Sequence, residues 1–585
     1  MLYSGDIAAA RPRSPALPAG ALAPLLAVAA FLVSFGALHY GFFGRAALVD
    51  TPVYERYGDA IVHRHQVPYR DFAVEYPPGA LPVFAAPALV AGRGDLPSYS
   101  RAFEGLMVAC GAAASALVAF VLRLQRASSR RLVAGSLLAG LAPLALGPLV
   151  LSCFDLWPAC LTIAALAALL AKRRRLGFGL LGAAIAAKLY PAVLLPLVLA
   201  FVWRRNGRRE AAVCGAIMAA VVAALVAPFA FVAPHGLWES LAGQASRPLQ
   251  VESLGASFLL VGHLLWGLPL EQFSSHGSDN LGGSAADLLA VVQSLVAPAA
   301  IVATWIAFAR GRAEPERLLR YAAAAICAFV AFGKVLSPQY LLWLIAPIAL
   351  VRGRRGVAAG ALLVPSLVLT QTWFPYRYIS LVYALDARAS WLVFARDLLL
   401  VALLVALLWP ARRAARAGFA TTAVLVLVAA GAVGAAWAAA GAPSGATHSG
   451  LLAETGVASR CTVAKRVPAQ SGGVVPYEAA TFVSRNGGCV VVTVTAPDAQ
   501  VFSAAYRGRF DSTNPRASYF GDSGTCTNVA GATGRSVSYW FRVPAGTRIA
   551  VEVEPCNSGG RLPRYVLRVA TARGAPLSPS MTART

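Results

Sequence analysis

From residue 22 to about residue 440 the chain is a succession of apolar runs separated by short polar joints. A helix needs about 20 apolar residues to cross the hydrocarbon of a bilayer. By that measure spans are expected at roughly 22–38, 100–122, 132–151, 156–171, 176–187, 189–203, 211–232, 286–309, 318–334, 340–351, 356–372, 390–409 and 419–440. The fold class that follows is a polytopic α-helical membrane protein of about 13 spans. No small-residue cleavage site follows a short apolar core, so residues 22–38 read as a retained first span.

The joints alternate in charge. Arg11, Arg13, Arg123, Arg126, Arg130, Arg131, Lys172 to Arg175, Arg204, Arg205, Arg208, Arg209, Arg310, Arg312, Arg352, Arg354, Arg355, Arg412, Arg413 and Arg416 fall on one side. The other side receives nearly all the acids. The positive-inside rule makes the basic side cytoplasmic and predicts a multi-pass cell-membrane protein with a cytoplasmic N-terminus and an extracytoplasmic C-terminal domain. This distribution also accounts for the net charge of +25, which otherwise suggests nucleic acid. Clusters placed between apolar runs set orientation, and no nucleic-acid partner is implied.

After Gly441 the composition turns to Gly, Ser, Thr and Val, and CVVVTVTA, VSYWFRV, RIAVEVEP and YVLRVA alternate with the period of strands. The expected organisation is a membrane domain over 1–440, a linker over 441–454, an extracytoplasmic all-β sandwich over 455–572 and a disordered tail over 573–585. Cys461, Cys489, Cys526 and Cys556, an even number in this polar tail, suggest disulfides and an oxidising compartment. The cysteines of the apolar runs read as buried free thiols.

In so uncharged a chain, the stretch DTPVYERYGDAIVHRHQVPYRDFAVEYPP from Asp50 to Pro78 is anomalous, carrying Asp50, Glu55, Asp59, Asp71 and Glu75. The run from Leu176 to Trp203 has basic residues at both ends, which one span would violate. A break at Lys188-Leu-Tyr-Pro191 resolves this, because proline disfavours helix at and before its position. Lys188, Lys334 in GKVLSPQY and Arg377 in WFPYRY then become cations at outer-face helix ends, where positive charge is rare. Snorkelling anchors would look the same, but three together favour an anionic ligand. A second outer loop, Pro234 to Asp287, is too polar at its start to span and amphipathic enough to lie on the membrane surface. Its Arg247 and Glu252, with Tyr76, are candidates for acceptor contact or a lid.

Carboxylates beside membrane-boundary cations suit sugar transfer from a lipid phosphate. A positioned acid takes the proton of the acceptor hydroxyl, and cations meet the charge developing on the leaving phosphate. No phosphate-binding loop, dinucleotide fingerprint, zinc spacing or serine-hydrolase elbow occurs. No metal ligand set and no cofactor is implied; a divalent cation is compatible with the acids, but nothing indicates one.

The order of one span, then Asp50, then YERYGDAIVHRHQVPYRDFAVEYPPGAL, followed by KLYPAVLLPL, RPLQVESLGASF and SPQYLLWLIAP, resembles the polyprenol-phosphate-sugar-dependent glycosyltransferases of the GT-C superfamily. The resemblance is to the bacterial α-mannosyltransferase-like family, of glycosyltransferase family 87 type, and covers about residues 20–410. It implies an inverting hexosyltransferase with a polyprenyl-phosphate sugar donor, a glycan or glycolipid acceptor and membrane lipids as its partners. Mannose is the sugar the resemblance favours. The catalytic base it implies is Asp50; Asp59, Asp71 and Glu75 are the secondary acidic candidates, and Lys188, Lys334 and Arg377, by their outer-face positions, are the candidates for the donor phosphate. A transporter or flippase of lipid-linked glycans is the competing expectation; it predicts charges deep within spans, of which Arg396 and Asp397 are the main pair. A surface-binding sandwich with anchoring spans is a third.

Overall fold

The computed structural model describes residues 19–40, 50–275, 278–408, 446–451, 454–460, 469–484, 488–496, 501–508, 519–522, 536–543, 546–555, 564–571 and 578–579. Its helices are α1 (Ala19–Tyr40), α2 (Thr51–Val62), α3 (Leu81–Ala88), α4 (Leu96–Leu124), α5 (Ser129–Leu146), α6 (Leu149–Ser152), α7 (Leu156–Leu170), α8 (Arg174–Ala187) and α9 (Leu195–Asn206). They continue as α10 (Arg208–Val232), α11 (Pro234–Ala245), α12 (Leu254–Trp266), α13 (Ser284–Ala309), α14 (Pro315–Phe332), α15 (Leu342–Leu350), α16 (Gly353–Trp373), α17 (Tyr378–Ala384) and α18 (Ala387–Leu408). Among the described residues, six helices are long and apolar enough to cross a membrane: Leu22–Tyr40 of α1, α4, α10, α13, α16 and α18. The chain is a multi-pass membrane protein.

The other expected spans are helical but shorter or interrupted. The run at 132–151 divides at Gly147 and Pro148 into α5 and α6, because proline cannot continue the hydrogen-bond ladder. The run at 318–334 ends at Phe332, leaving Lys334 beyond the helix. The run at 340–351 opens as a 3-10 turn, Pro338–Leu341. The expected span at 419–440 lies outside the described residues. Loop 234–287 holds two helices of different burial: α11 is partly exposed, whereas α12 packs on α13 and α18. Ser253 caps α12 by accepting the Ala256 N–H at 3.4 Å.

α1 packs on α4 and α5 through small residues, as spans do where apolar lipid offers no drive to associate. A Cβ on Gly140 of α5 would lie 2.6 Å from the Ala30 Cβ and 2.8 Å from the Ala27 carbonyl oxygen, so only glycine admits this approach. The Ser34 hydroxyl then donates across to the Gly140 carbonyl at 2.7 Å.

The basic joints converge as the charge pattern predicts. Arg131 reaches the carbonyls of Ala349 and Val351, Arg352 that of Gln125, and Arg204 those of Ala309 and Gly311. The opposite end of α4 begins at Asp95, which caps it through the Ser98 N–H at 3.1 Å. With 29 residues, α4 is about 43 Å long, so this end lies a membrane's thickness from the basic joints.

Three short strands, β1 (Leu249–Gln250), β2 (Glu271–Ser275) and β3 (Ser278–Gly282), form a small antiparallel sheet in order β1-β3-β2. In the C-terminal segment the strands are β4 (Ala446–Leu451), β5 (Glu454–Arg460), β6 (Ala469–Ser484), β7 (Gly488–Thr495), β8 (Val501–Arg507), β9 (Tyr519–Asp522), β10 (Ser536–Val543), β11 (Thr547–Pro555), β12 (Arg564–Thr571) and β13 (Ser578–Pro579). One sheet runs β10-β7-β12-β4 and the other β13-β6-β11-β8-β9, with β5 on β6. Alternate residues of both, including Val490, Val492, Val494, Ile549, Val551 and Val553, enter one apolar cluster. β4 lies in the stretch 441–454 read as a linker, yet it pairs with β12. β13 lies in the stretch 573–585 read as a disordered tail, yet it pairs with β6. Short strands of two to six residues carry too little alternation to be read from sequence. The side chains of Cys461, Cys489, Cys526 and Cys556 lie outside the described residues. Cys110, Cys153, Cys160, Cys214 and Cys327 are free thiols, and all but the half-buried Cys160 are buried.

Candidate active site

Asp50 stands at the N-cap of α2, where Pro52 helps to fix the first turn. Its side chain does not cap the helix; instead Oδ2 accepts the Tyr54 hydroxyl at 3.3 Å, leaving the rest of the carboxylate uncommitted. Burial pushes Asp50 up to about 6, with the charge of Asp155 adding to the rise and Lys188 and the Tyr54 hydrogen bond opposing it. The residue as a whole is half-buried. Such a group is mostly ionised at pH 7 yet basic enough to accept a proton.

An aromatic wall backs it. Tyr54 stacks on Phe84 at 4.6 Å, and Tyr76 meets Phe154 edge-on at 4.8 Å. The Tyr-Pro-Pro-Gly exit from the loop is a rigid turn, and its 3-10 segment Pro78–Ala80 presses on the end of α8. A Cβ at Gly79 would lie 2.5 to 2.7 Å from the backbone of Ala186 and Ala187. The Gly79 carbonyl accepts the Trp157 indole N–H at 3.3 Å.

Helix α8 ends where the proline argument puts the break. Lys188 is extended, and Tyr190–Leu194 forms a 3-10 turn before α9. The Lys188 ammonium lies 2.7 Å from Asp155 Oδ1, with side chains 14% and 0% exposed. The same oxygen accepts the Trp343 indole N–H at 2.7 Å. Lys188 Nζ sits 4.6 Å from the Phe154 ring centre and 5.1 Å from that of Trp343, within cation–π range. Trp343 is clamped between Tyr190 and Tyr340, each 4.1 Å away. Asp155 Oδ2 is buried without a hydrogen-bond partner.

A second polar cluster surrounds Glu252. The Gln250 side-chain N–H donates to Glu252 Oε2 at 2.6 Å, and Arg396 donates to the Glu252 carbonyl at 2.7 Å. Arg396 and Asp397 of α18, both fully buried, pair at 2.7 Å. Burial pushes Glu252 up to about 8, with Arg396 opposing and Asp279 and Asp397 adding to the rise; Arg247 is also close enough to act on it. The Gln250 N–H donates to the Lys334 carbonyl at 3.0 Å. Burial draws the Lys334 ammonium below the usual lysine range. The segment from Lys334 to Trp343 thus ties this cluster to the Lys188 pair.

The sequence candidates therefore separate. Asp50, Tyr76 and Lys188 share the first cluster, and exposed Glu75 acts on Asp50 electrostatically. Arg247, Glu252 and Lys334 belong to the second. Arg377 is half-buried at the start of α17, beside Tyr378, whose hydroxyl donates to Asp279 at 2.8 Å. Asp59 is taken up by Arg64 at 2.6 Å and by the Gly94 N–H at 3.2 Å, tying α2 to the connection between α3 and α4. Asp71 is exposed and holds Arg70 and the Val67 N–H, which draws its carboxyl down to about 2. Asp155 and Trp343 were not among the sequence candidates. The one available signal was an acid at the head of an apolar run in FDLWPACLTIAALAALL, with no counter-charge near it in sequence. Among the described residues, no group of three His, Cys, Asp or Glu side chains gathers as a metal site.

A helical membrane bundle with an acid, a buried ion pair and an aromatic wall at one end is the class that the fold defines. The sequence model of glycosyltransferase family 87 matches residues 74–338. Tyr76, Asp155, Lys188, Glu252 and Lys334 fall within the match; Asp50 precedes it and Arg377 follows it. No curated protein matches the chain significantly. Among solved structures, the apo oligosaccharyltransferase of Archaeoglobus fulgidus is similar at 15% identity and a TM-score of 0.34, over 71% of this chain and 55% of that one. The arabinosyltransferase EmbB of Mycobacterium smegmatis is similar at 12% identity and a TM-score of 0.35, over 96% and 66% respectively. The chain spans little more than half the length of the first of these.

Proposed function

We propose that the protein transfers a sugar, mannose by family resemblance, from a polyprenyl-phosphate donor to a glycan or glycolipid acceptor on the extracytoplasmic face. The acceptor hydroxyl oxygen forms a bond to the anomeric carbon as the carbon–oxygen bond to phosphate breaks. Polyprenyl phosphate leaves with the electron pair, and Asp50 takes the hydroxyl proton. The configuration inverts in this single displacement. Lys188 spends one of its three N–H donors on Asp155, so two remain for a phosphate oxygen; Lys334 and Arg377 would add positive charge.

The observation that carries this reading is that Asp50, uncommitted to its helix cap, lies within electrostatic reach of a fixed ammonium at the end of the bundle opposite the basic joints. Its rise to about 6 suits a base working near neutrality.

The test compares membranes carrying wild type and Asp50→Asn, incubated with radiolabelled polyprenyl-phosphate-mannose. Wild type should label a lipid or glycan product, and the variant should lose at least about 100-fold, the usual share of a general base. Equal transfer by both would remove Asp50 as base. Transfer from no lipid-linked sugar, with movement of such lipids between leaflets of reconstituted vesicles, would favour the flippase.

A further inference from the structure

We propose that Asp155 is a positioning residue for the transfer reaction: it holds the Lys188 ammonium beside Asp50 and keeps the two from pairing. This rests on Asp50 being the base.

The geometry is specific. Asp155 has no exposed surface, and a single oxygen accepts both the Lys188 ammonium and the Trp343 indole, each at 2.7 Å. Trp343 is itself fixed between Tyr190 and Tyr340, so the acceptor oxygen is located by rigid rings. The Lys188 ammonium also lies 4.6 Å from the centre of the Phe154 ring. Its tether is thus complete without Asp50, although Asp50 is near enough to feel both charges. A base that formed its own ion pair with Lys188 would be a weaker proton acceptor, because an adjacent cation favours the ionised carboxylate. A pure anchor for α7 and α8 would not need a second donor clamped by stacked rings, nor a second oxygen left buried and unpaired.

Among the described residues, the groups that act on Asp50 come from four places. Tyr54 is on its own helix, Glu75 and Tyr76 are in the loop, Cys153 and Asp155 stand before α7, and Lys188 follows α8. Of these, Asp155 and Lys188 act in opposite senses on the proton affinity of Asp50. Removing each should therefore move the acid limb of transfer in opposite directions.

The experiment is the pH profile of kcat/KM for transfer from polyprenyl-phosphate-mannose by purified full-length protein in lipid nanodiscs. Wild type, Asp50→Asn, Asp155→Asn and Lys188→Met are compared. The acid limb of Asp155→Asn should shift to lower pH by about one unit, the scale of a single neighbouring charge, with a lowered plateau. That of Lys188→Met should shift to higher pH. Either shift alone supports the proposal, should the other variant not fold. Variants that are slower at every pH with an unmoved limb, or that shift in the same direction, overturn it and leave Asp155 as a structural anchor. Full transfer by Asp50→Asn overturns the base assignment, and this proposal with it.

Discussion

Replacing Lys188 by methionine tests how the site is built, because the side-chain volume is nearly kept while the charge goes. The pair it breaks has partners 14% and 0% exposed, so solvent screens little of it. Losing one member of such a pair strands the other in a dry interior, which costs about 3–5 kcal/mol. Asp155 keeps only the Trp343 N–H at 2.7 Å, and the ring contact to Phe154 is lost with the ammonium. Asp155→Asn should cost less, since the ammonium can turn to the exposed part of its surroundings. The double variant leaves no unpaired charge, so it should be more stable than the sum of the singles by roughly 0.5–3 kcal/mol. SDS titration of the detergent-solubilised protein, followed by circular dichroism, gives the free energies of all four forms. A Lys188→Met cost under about 1 kcal/mol, or effects that add within about 0.5 kcal/mol, would refute the claim that the pair is buried and coupled.

Gly79→Ala should destabilise by about 1–3 kcal/mol and depress transfer, because its Cβ meets the backbone of Ala186 and Ala187 and must push Lys188 away; the same titration and the labelling assay read both. Glu252 has its folded pKa raised from 4.5 to about 8, so the folded state holds the extra proton and stability falls as pH rises between those values. Glu252→Gln should flatten that fall, which approaches about 1.4 kcal/mol per pH unit at most; unfolding midpoints from pH 5 to 8 check it. Asp71→Asn should leave transfer within about twofold of wild type, because Asp71 serves only a turn and Arg70 at the surface.

The chain's own pattern determined the membrane class, the grouping of basic joints and the helix break at Lys188. Apolar length, charge asymmetry and proline act locally and need no knowledge of the fold. The likeness to a family was legible in the same way, because the resembling segments keep their order along the chain, and the family model matches residues 74–338. The candidate site was legible only by type of residue. Five acids of the opening loop looked alike in sequence, yet packing buries Asp59 against Arg64, leaves Asp71 at the surface and gives Asp50 an environment that raises its proton affinity. The partner of Lys188 was invisible because Asp155 is 33 residues away and Trp343 lies 188 residues beyond Asp155. Only tertiary structure brings the head of α7, the end of α8 and the start of α15 to one point. A residue's identity fixes what charge it can carry; what that charge does depends on burial and on neighbours that the chain supplies from far away.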